Sequence, residues 1–325
     1  ANMFGIADSA RVVFTENTTA ALNLALFGVL RAGDHCLASS MEHNSILRPL
    51  HVLQQRGVEV TIVAGDADGQ LSPEDIRREI RPNTKLVAIT HASNVTGRIM
   101  PVAEIGKITS EAEIPLLVDA AQTAGVFDID VNKMGIDLLA VAGHKSLLGP
   151  TGTGALYIRE GLKVVPLLYG GTGSFSEMME MPDIMPDRYE SGTINGVGIA
   201  GLQAGLDYIA TRGMAKIRRH ELSLLNRLVD GMNSISNVKM YGGIGERAPV
   251  LAFNIGEVGS TEVAYILDSA FNIATRAGLH CAPLAHKTIG TLKQGVVRVS
   301  LGPFNTDTEI DALLTAVEQI AVEGA

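Results

Sequence analysis

Short apolar, β-branched runs alternate with longer segments of helical spacing along much of the chain. The runs at residues 11–15, 36–39, 58–63, 86–90, 115–118, 137–142 and 154–158 read as strands. Between them, 18–30, 44–55 and 72–80 read as helices, the last opened by Ser72-Pro73-Glu74, a helix-start pattern. Several of the strands lack polar alternation, as expected when both faces are buried. The βαβ order predicts an α/β fold with a mostly parallel sheet and helices on both sides. After about residue 211 the pattern changes. A long helix at 214–234 precedes strands at 250–255 and 296–301 and helices at 261–271 and 307–322, a smaller α+β unit. The expected domains are therefore 1–211 and 212–325. Residues 171–190 mix Met, Pro, Gly and acids without a period, and read as an irregular excursion beside a site or a subunit contact.

Composition narrows the class. Hydrophobic residues make up 46% of the 325 and charged ones 19%, which suits a soluble globular protein. A net charge of −9 excludes nucleic acid as the main partner, because no basic stripe is available to neutralise phosphates. No apolar run approaches the roughly 20 residues that span a bilayer. The first residues lack the basic-then-apolar order of a signal peptide. Cys36 and Cys281 sit in unlike contexts and are not expected to pair in a reducing compartment. The expected location is the cytoplasm, with no membrane partner and no metal site.

Candidate chemistry centres on Ala142-Gly143-His144-Lys145, followed by Gly149-Pro150-Thr151-Gly152. A lysine at a strand end between glycines reaches the crevice where open α/β sheets bind ligands. If its ammonium is desolvated there beside other cations, it sheds its proton and becomes a Schiff-base amine. A lone loop lysine means little, but Leu116-Leu117-Val118-Asp119-Ala120-Ala121-Gln122 places an acid at the end of another buried strand. A carboxylate there keeps a pyridine nitrogen protonated, the condition for pyridoxal phosphate (PLP) to act as an electron sink. Thr15-Glu16-Asn17-Thr18-Thr19-Ala20 leads into a helix, whose hydroxyls and free amides make an anion site for the cofactor phosphate. His43, at the strand-to-helix turn Met41-Glu42-His43-Asn44, is able to stack on a flat ring.

Taken in order, with Ser93-Asn94-Val95-Thr96-Gly97 between them, these segments resemble fold-type I PLP enzymes. More narrowly, they resemble the class V aminotransferase superfamily and its cysteine desulfurases, over essentially the whole chain. The resemblance implies that Lys145 carries PLP, Asp119 pairs with the ring nitrogen and Gln122 bonds the phenolic oxygen. It implies that His43 stacks on the ring as a catalytic residue, and that Asn94 lies near the phenolic oxygen and the substrate. Thr18, Thr19 and His144 fall at the phosphate. Arg188-Tyr189-Glu190-Ser191-Gly192-Thr193 is similar to the segment that reaches a neighbouring subunit's phosphate through Thr193, implying a homodimer with shared sites.

Arg276-Ala277-Gly278-Leu279-His280-Cys281 resembles the cysteine segment of group II desulfurases and selenocysteine lyases. By that likeness Cys281 is the sulfur-accepting nucleophile. Arg298, in Val297-Arg298-Val299-Ser300, forks onto the substrate carboxylate, with Arg276 as a second substrate-binding residue. Two departures stand out. The family usually carries serine at the place of Ala142, and a segment ahead of residue 1 that helps to close the substrate site. The expected reaction converts L-cysteine to L-alanine and leaves a persulfide on Cys281 for a sulfur-acceptor protein. The alternatives are a selenocysteine lyase, a class V aminotransferase that needs no thiol, and an inactive PLP-binding subunit.

Overall fold

The computed structural model describes residues 1–323; residues 324–325, the end of the expected second unit, lie outside it. Seven strands form one sheet: β1 (Val12–Thr15), β2 (His35–Ser39), β3 (Glu59–Val63), β4 (Thr84–Thr90), β5 (Leu116–Asp119), β6 (Leu138–Ala142) and β7 (Gly154–Ile158). Their order is β1-β7-β6-β5-β4-β2-β3. The block from β3 to β6 is parallel, and β7 runs antiparallel to both β6 and β1.

In β2, β4, β5, β6 and β7 alternate residues bury opposite faces, which is why those apolar runs show no polar alternation; the edge strands β1 and β3 are only partly buried. Cys36, Ala38, Leu86 and Leu117 pack against Leu22 and Leu26 of α1 (Thr18–Val29) and Ile46 of α2 (Asn44–Gln55). Leu37, Val87, Ile89 and Val118 face the other way, onto Ile76 of α3 (Pro73–Glu79) and Ile105 of α4 (Val102–Glu111). Ile209 of α5 (Gly196–Arg212) joins that second face. Each such side chain, fully buried, contributes roughly 1.5–3 kcal/mol relative to exposure.

Helix α6 (Met214–Asn233) leads to a second sheet of four antiparallel strands: β8 (Val238–Tyr241), β9 (Val250–Ile255), β10 (Arg276–Gly278) and β11 (Val296–Ser300), in the order β10-β11-β9-β8. Leu251, Phe253 and Val297 of this sheet meet Leu224 and Leu228 of α6, Val263 of α7 (Ser260–Phe271) and Leu313 of α9 (Asp307–Glu323). Helix α8 (Pro283–Thr288) lies between β10 and β11 in sequence.

The topology sets where the site must be. Parallel β2, β4, β5 and β6 bring their carboxyl ends to one edge. Because β7 reverses and β1 reverses again, β1 ends at that edge too, and α1 begins there. The segments after β2, β4, β5 and β6 are those that carry His43, Asn94, Gln122 and Lys145. This is the ligand-binding edge of an open α/β sheet.

The structure also differs from the sequence reading. The strand expected at 11–15 starts at Val12, because Ser9–Arg11 form a 3-10 turn capped by Asp8. The strand expected at 115–118 runs one residue later and includes Asp119. Among the described residues no helix joins β5 to β6; residues 120–137 cross in turns. Helices α4, α5 and α8 and strands β8 and β10 were not anticipated.

Candidate active site

Lys145 stands on the loop after β6, open to a cavity of about 460 Å³ also lined by His43, Asn94, Gln122, Arg276 and Arg298. Gly143 allows the loop its close approach. Its amide donates to the Thr153 carbonyl at 2.9 Å, and an added Cβ would lie 2.8 Å from the Thr153 Cβ. Burial, then Arg298 and Arg276, holds the Lys145 ammonium below the ordinary lysine range against the opposing charge of Asp119. Asp119 is 5% exposed. Its Oδ1 accepts from the Ala121 amide at 2.9 Å. Burial keeps its carboxyl above the usual carboxylate range despite Lys145 and that amide.

His43 caps α2. Its Nδ1 accepts from the Ser45 amide at 3.0 Å and lies 2.8 Å from Ser45 Oγ, which is 2.8 Å from Thr19 Oγ1. The ring proton is therefore on Nε2. Burial, Lys145 and the arginines Arg276, Arg48 and Arg298 push its pKa down to about 4, so the imidazole is neutral at pH 7. His144 stands at the exposed mouth of the site, where partial loss of solvent and then Lys145 lower its pKa. At the start of α1, Asn17 Oδ1 accepts from the Ala20 amide, while the buried Thr18 hydroxyl has no partner.

The second sheet supplies the rest. Arg276 and Arg298 are directly opposite each other in the β10–β11 pair. Like charges at such positions repel, and Arg298 is further opposed by its own burial. Arg298 Nη1 donates to the Asn94 carbonyl at 3.0 Å, and its buried Nε is unpartnered. Asn94 Nδ2 donates to the His280 carbonyl at 2.7 Å, and its buried Oδ1 is likewise unpartnered. Next along the chain is Cys281, an exposed free thiol whose Sγ lies 3.9 Å from Arg276 Nη2. Its carbonyl accepts from the Asn44 amide at 2.7 Å. His280 and Cys281 have φ of 49° and 58°, left-handed values that cost a non-glycine residue of order 1–3 kcal/mol each. Cys281 opens onto a second cavity of about 410 Å³ that shares His43 as a wall and is lined by Thr19, Asn23 and Arg48. Cys36, by contrast, is fully buried, and burial raises its thiol.

This crevice gathers Lys145, Arg276 and Arg298, three cations, with the buried acid Glu221 in its wall and buried Asp119 near Lys145, an arrangement suited to an anionic ligand. The Aminotransferase class-V family matches residues 1–313. The chain belongs to that family. A probable cysteine desulfurase of Methanothermobacter thermautotrophicus is 36% identical over 98% of this chain and 81% of its own length. A cysteine desulfurase of Escherichia coli O157:H7 is 34% identical over 98% and 80%. Among solved structures, the apo cysteine desulfurase of Thermococcus onnurineus NA1 superposes with a TM-score of 0.93 at 36% identity, covering 100% of this chain and 82% of that one. The cysteine desulfurase CsdA of Escherichia coli gives 0.90 at 29%, covering 99% and 82%.

The family depends on PLP, and the residues present fit it. A buried acid with a free oxygen awaits a cationic partner. Unpaired polar atoms on Thr18, Asn94 and Arg298 await acceptors and donors. A helix N-terminus faces the same edge. Ala142, 2% exposed at the end of β6, offers no hydroxyl where the family usually has one. Thr193 lies outside the Lys145 crevice. It lines a separate cavity of about 340 Å³ with Phe14, Glu16, Tyr189 and Ile194.

Two buried acids escaped the sequence reading. Glu42, fully buried, accepts at Oε1 from Ser39 Oγ at 2.5 Å and from the Thr90 amide at 3.0 Å. Burial, with Asp119 adding to it, raises its carboxyl to about 8. Glu221, 1% exposed, lines the Lys145 cavity and is raised by burial to about 7. An acid just before a helix looks solvated in sequence. Only the covering strands reveal that Glu42 is not.

Proposed function

We propose that the chain is a PLP-dependent cysteine desulfurase, converting L-cysteine to L-alanine with the sulfur left on Cys281. One observation supports this above the others: an accessible thiol beside Arg276, on a turn hydrogen-bonded to the lysine crevice through Asn94 and Asn44.

In this reading Lys145 holds the cofactor covalently, Asp119 retains the proton of its ring nitrogen, and Gln122 and Asn94 meet its phenolic oxygen. His43 covers the ring face; Thr18, Thr19 and His144 receive the phosphate. Bound there, PLP supplies an electron sink conjugated to the substrate Cα. Arg298 forks onto the substrate carboxylate through the side not used by Asn94, with Arg276 beside it. Lys145 would hold the cofactor only until the substrate amine replaces it, and its amine, then free, would take the Cα proton. His43, neutral with its proton on Nε2, is placed to donate rather than to accept there. Sγ of Cys281 attacks the substrate sulfur. The carbon–sulfur bond breaks with its electron pair passing to the Cβ side. Cβ takes up the proton given up by the Cys281 thiol, Cα recovers the one held by Lys145, alanine leaves, and the substrate sulfur stays on Cys281 as a persulfide.

A homodimer is part of the proposal. Leu168, Tyr169, Met179, Ile194 and Val197, between positions 168 and 197, are exposed apolar side chains, and Leu168 and Ile194 line the cavity that holds Thr193, surface suited to a second copy. The unit boundary near residue 211 separates the cofactor side from the smaller unit carrying Cys281. Cytoplasmic location and a sulfur-acceptor protein belong to the same reading, supported by two free thiols. Among the described residues, no helix is long and apolar enough to cross a membrane. The test is to supply PLP and L-cysteine and to measure alanine and protein-bound persulfide. Alanine with persulfide mapped to Cys281 is the expected result. A keto acid formed from cysteine, without alanine, contradicts it.

A further inference from the structure

The turn that carries Cys281 is held in an unfavourable backbone conformation by side chains that never touch the sulfur. His280 is 3% exposed. Its Nε2 lies 3.1 Å from the Val296 carbonyl, an atom that only accepts, so Nε2 carries the ring proton and donates it. Val296 is on β11, two positions before Arg298. The His280 carbonyl receives the Asn94 amide at 2.7 Å, and the Asn94 carbonyl receives Arg298 Nη1 at 3.0 Å. Arg298, Asn94 and His280 thus make one continuous path from the carboxylate fork to the residue before the sulfur. Backbone bonds close the turn at its far side, from the Asn44 amide to the Cys281 carbonyl at 2.7 Å and from the Ala282 amide to the Leu279 carbonyl at 2.9 Å. The His280 and Asn94 side chains supply the ties on the crevice side of residues held at positive φ values of 49° and 58°. The His280 ring also stacks on His286, with centroids 5.9 Å apart, so its volume and its donor have separate uses.

We propose that His280 is a positioning residue which, clamped through Asn94 to Arg298, holds Cys281 at the place where it meets a carboxylate-bound substrate. The proposal rests on the reading of Cys281 as sulfur acceptor. It adds that the imidazole Nε2–H and the Asn94 side-chain amide, rather than the sulfur's own surroundings, fix where the thiol stands. A misplacement of the attacking atom by even an ångström is costly to the rate but not to substrate binding.

Two substitutions separate the donor from the ring. His280→Phe keeps the stack on His286 and loses the donor; His280→Gln keeps a donor at similar reach and loses the ring. Hydrogen exchange is followed on the full chain, with and without added PLP, alongside steady-state alanine release from L-cysteine. In His280→Phe, amides of residues 279–282 should exchange at least about tenfold faster, while those of β9 do not change. Its kcat should fall at least about tenfold with KM within about twofold. His280→Gln should restore both towards wild type. Equal impairment of the two variants, or wild-type behaviour of His280→Phe, overturns the proposal. Should His280→Phe not fold, Asn94→Asp decides. It replaces the donor facing the His280 carbonyl by an acceptor of the same shape, and unchanged exchange at 279–282 overturns the clamp. If the wild type makes no alanine, the desulfurase reading fails, yet exchange still judges the clamp.

Discussion

Asp119 and Glu42 are both buried, yet their surroundings ask different things of them. Asp119 keeps one oxygen free of protein donors, facing Lys145, whereas Glu42 is enclosed and accepts two hydrogen bonds on a single oxygen. In Asp119→Asn the shape survives and the charge does not. PLP should still bind, seen by its visible absorbance, while Cα deprotonation slows at least about a hundredfold. Near-normal turnover would make the acid structural. Glu42 has a folded pKa raised from 4.5 to about 8, so the folded state binds the extra proton. Its stabilising contribution is whole below pH 4.5 and is lost as the pH rises through 8. Glu42→Gln should therefore gain stability over wild type on going from pH 5 to pH 8, by on the order of a few kcal/mol. Thermal unfolding at both pH values measures it; a constant difference contradicts the burial argument. Lys145 and Asp119 could be singled out in sequence because Asp119 ends one apolar strand and Lys145 follows another by three residues. Glu42 and Ser45 could not, since their partners come from β4 and α1.

Strand ends and helix starts, rather than whole elements, build the crevice. Strands β2, β4, β5 and β6 were legible because burial on both faces leaves apolar runs, whereas β3, half-exposed at the sheet edge, was marked by its β-branched residues. Helix α5 was not: its Gly198, Gly201 and Gly205 blur the helical period, and Gly205 is needed where the helix passes the Leu148 backbone. Strand β10 escaped notice because it spans three residues and begins with Arg276, which makes sense only beside Arg298. The loop after β6 has a tight tolerance at Gly143. Gly143→Ala should lower stability by about 1–3 kcal/mol as Thr153 is displaced, and should weaken covalent PLP attachment to Lys145. Gly196→Ala, whose added methyl meets nothing within 4 Å, is the control. Borohydride reduction and peptide mapping read the attachment, and an unaffected adduct would show that the loop has slack.

At the scale of the molecule, two sheets share one crevice: Ala252, Ala282 and Val296 join the same apolar cluster as Leu37, Val87 and Val118 of the large sheet, and Cys281 stands beside Arg276 of the smaller one. Residues 171–190 were expected to be irregular and contain neither helix nor strand. No pattern in the sequence reveals what covers the apolar side chains on either side of them. Met179 and Val197, 98% and 88% exposed, are the places where a second copy would matter most. If Thr193 serves a partner subunit's phosphate, Lys145→Ala and Thr193→Ala should complement when mixed and reassociated, because one hybrid site recovers both groups. An active monomer in sedimentation would refute this reading of 188–193. The central claim, that this PLP-family chain moves sulfur onto its own thiol, is tested most directly by alanine release from L-cysteine in wild type, Cys281→Ser and Cys36→Ser. The account expects wild type and Cys36→Ser to release alanine alike, and Cys281→Ser to bind cysteine with a spectral change yet release almost none. Equal rates in all three would remove Cys281 from the reaction and leave the aminotransferase alternative in its place.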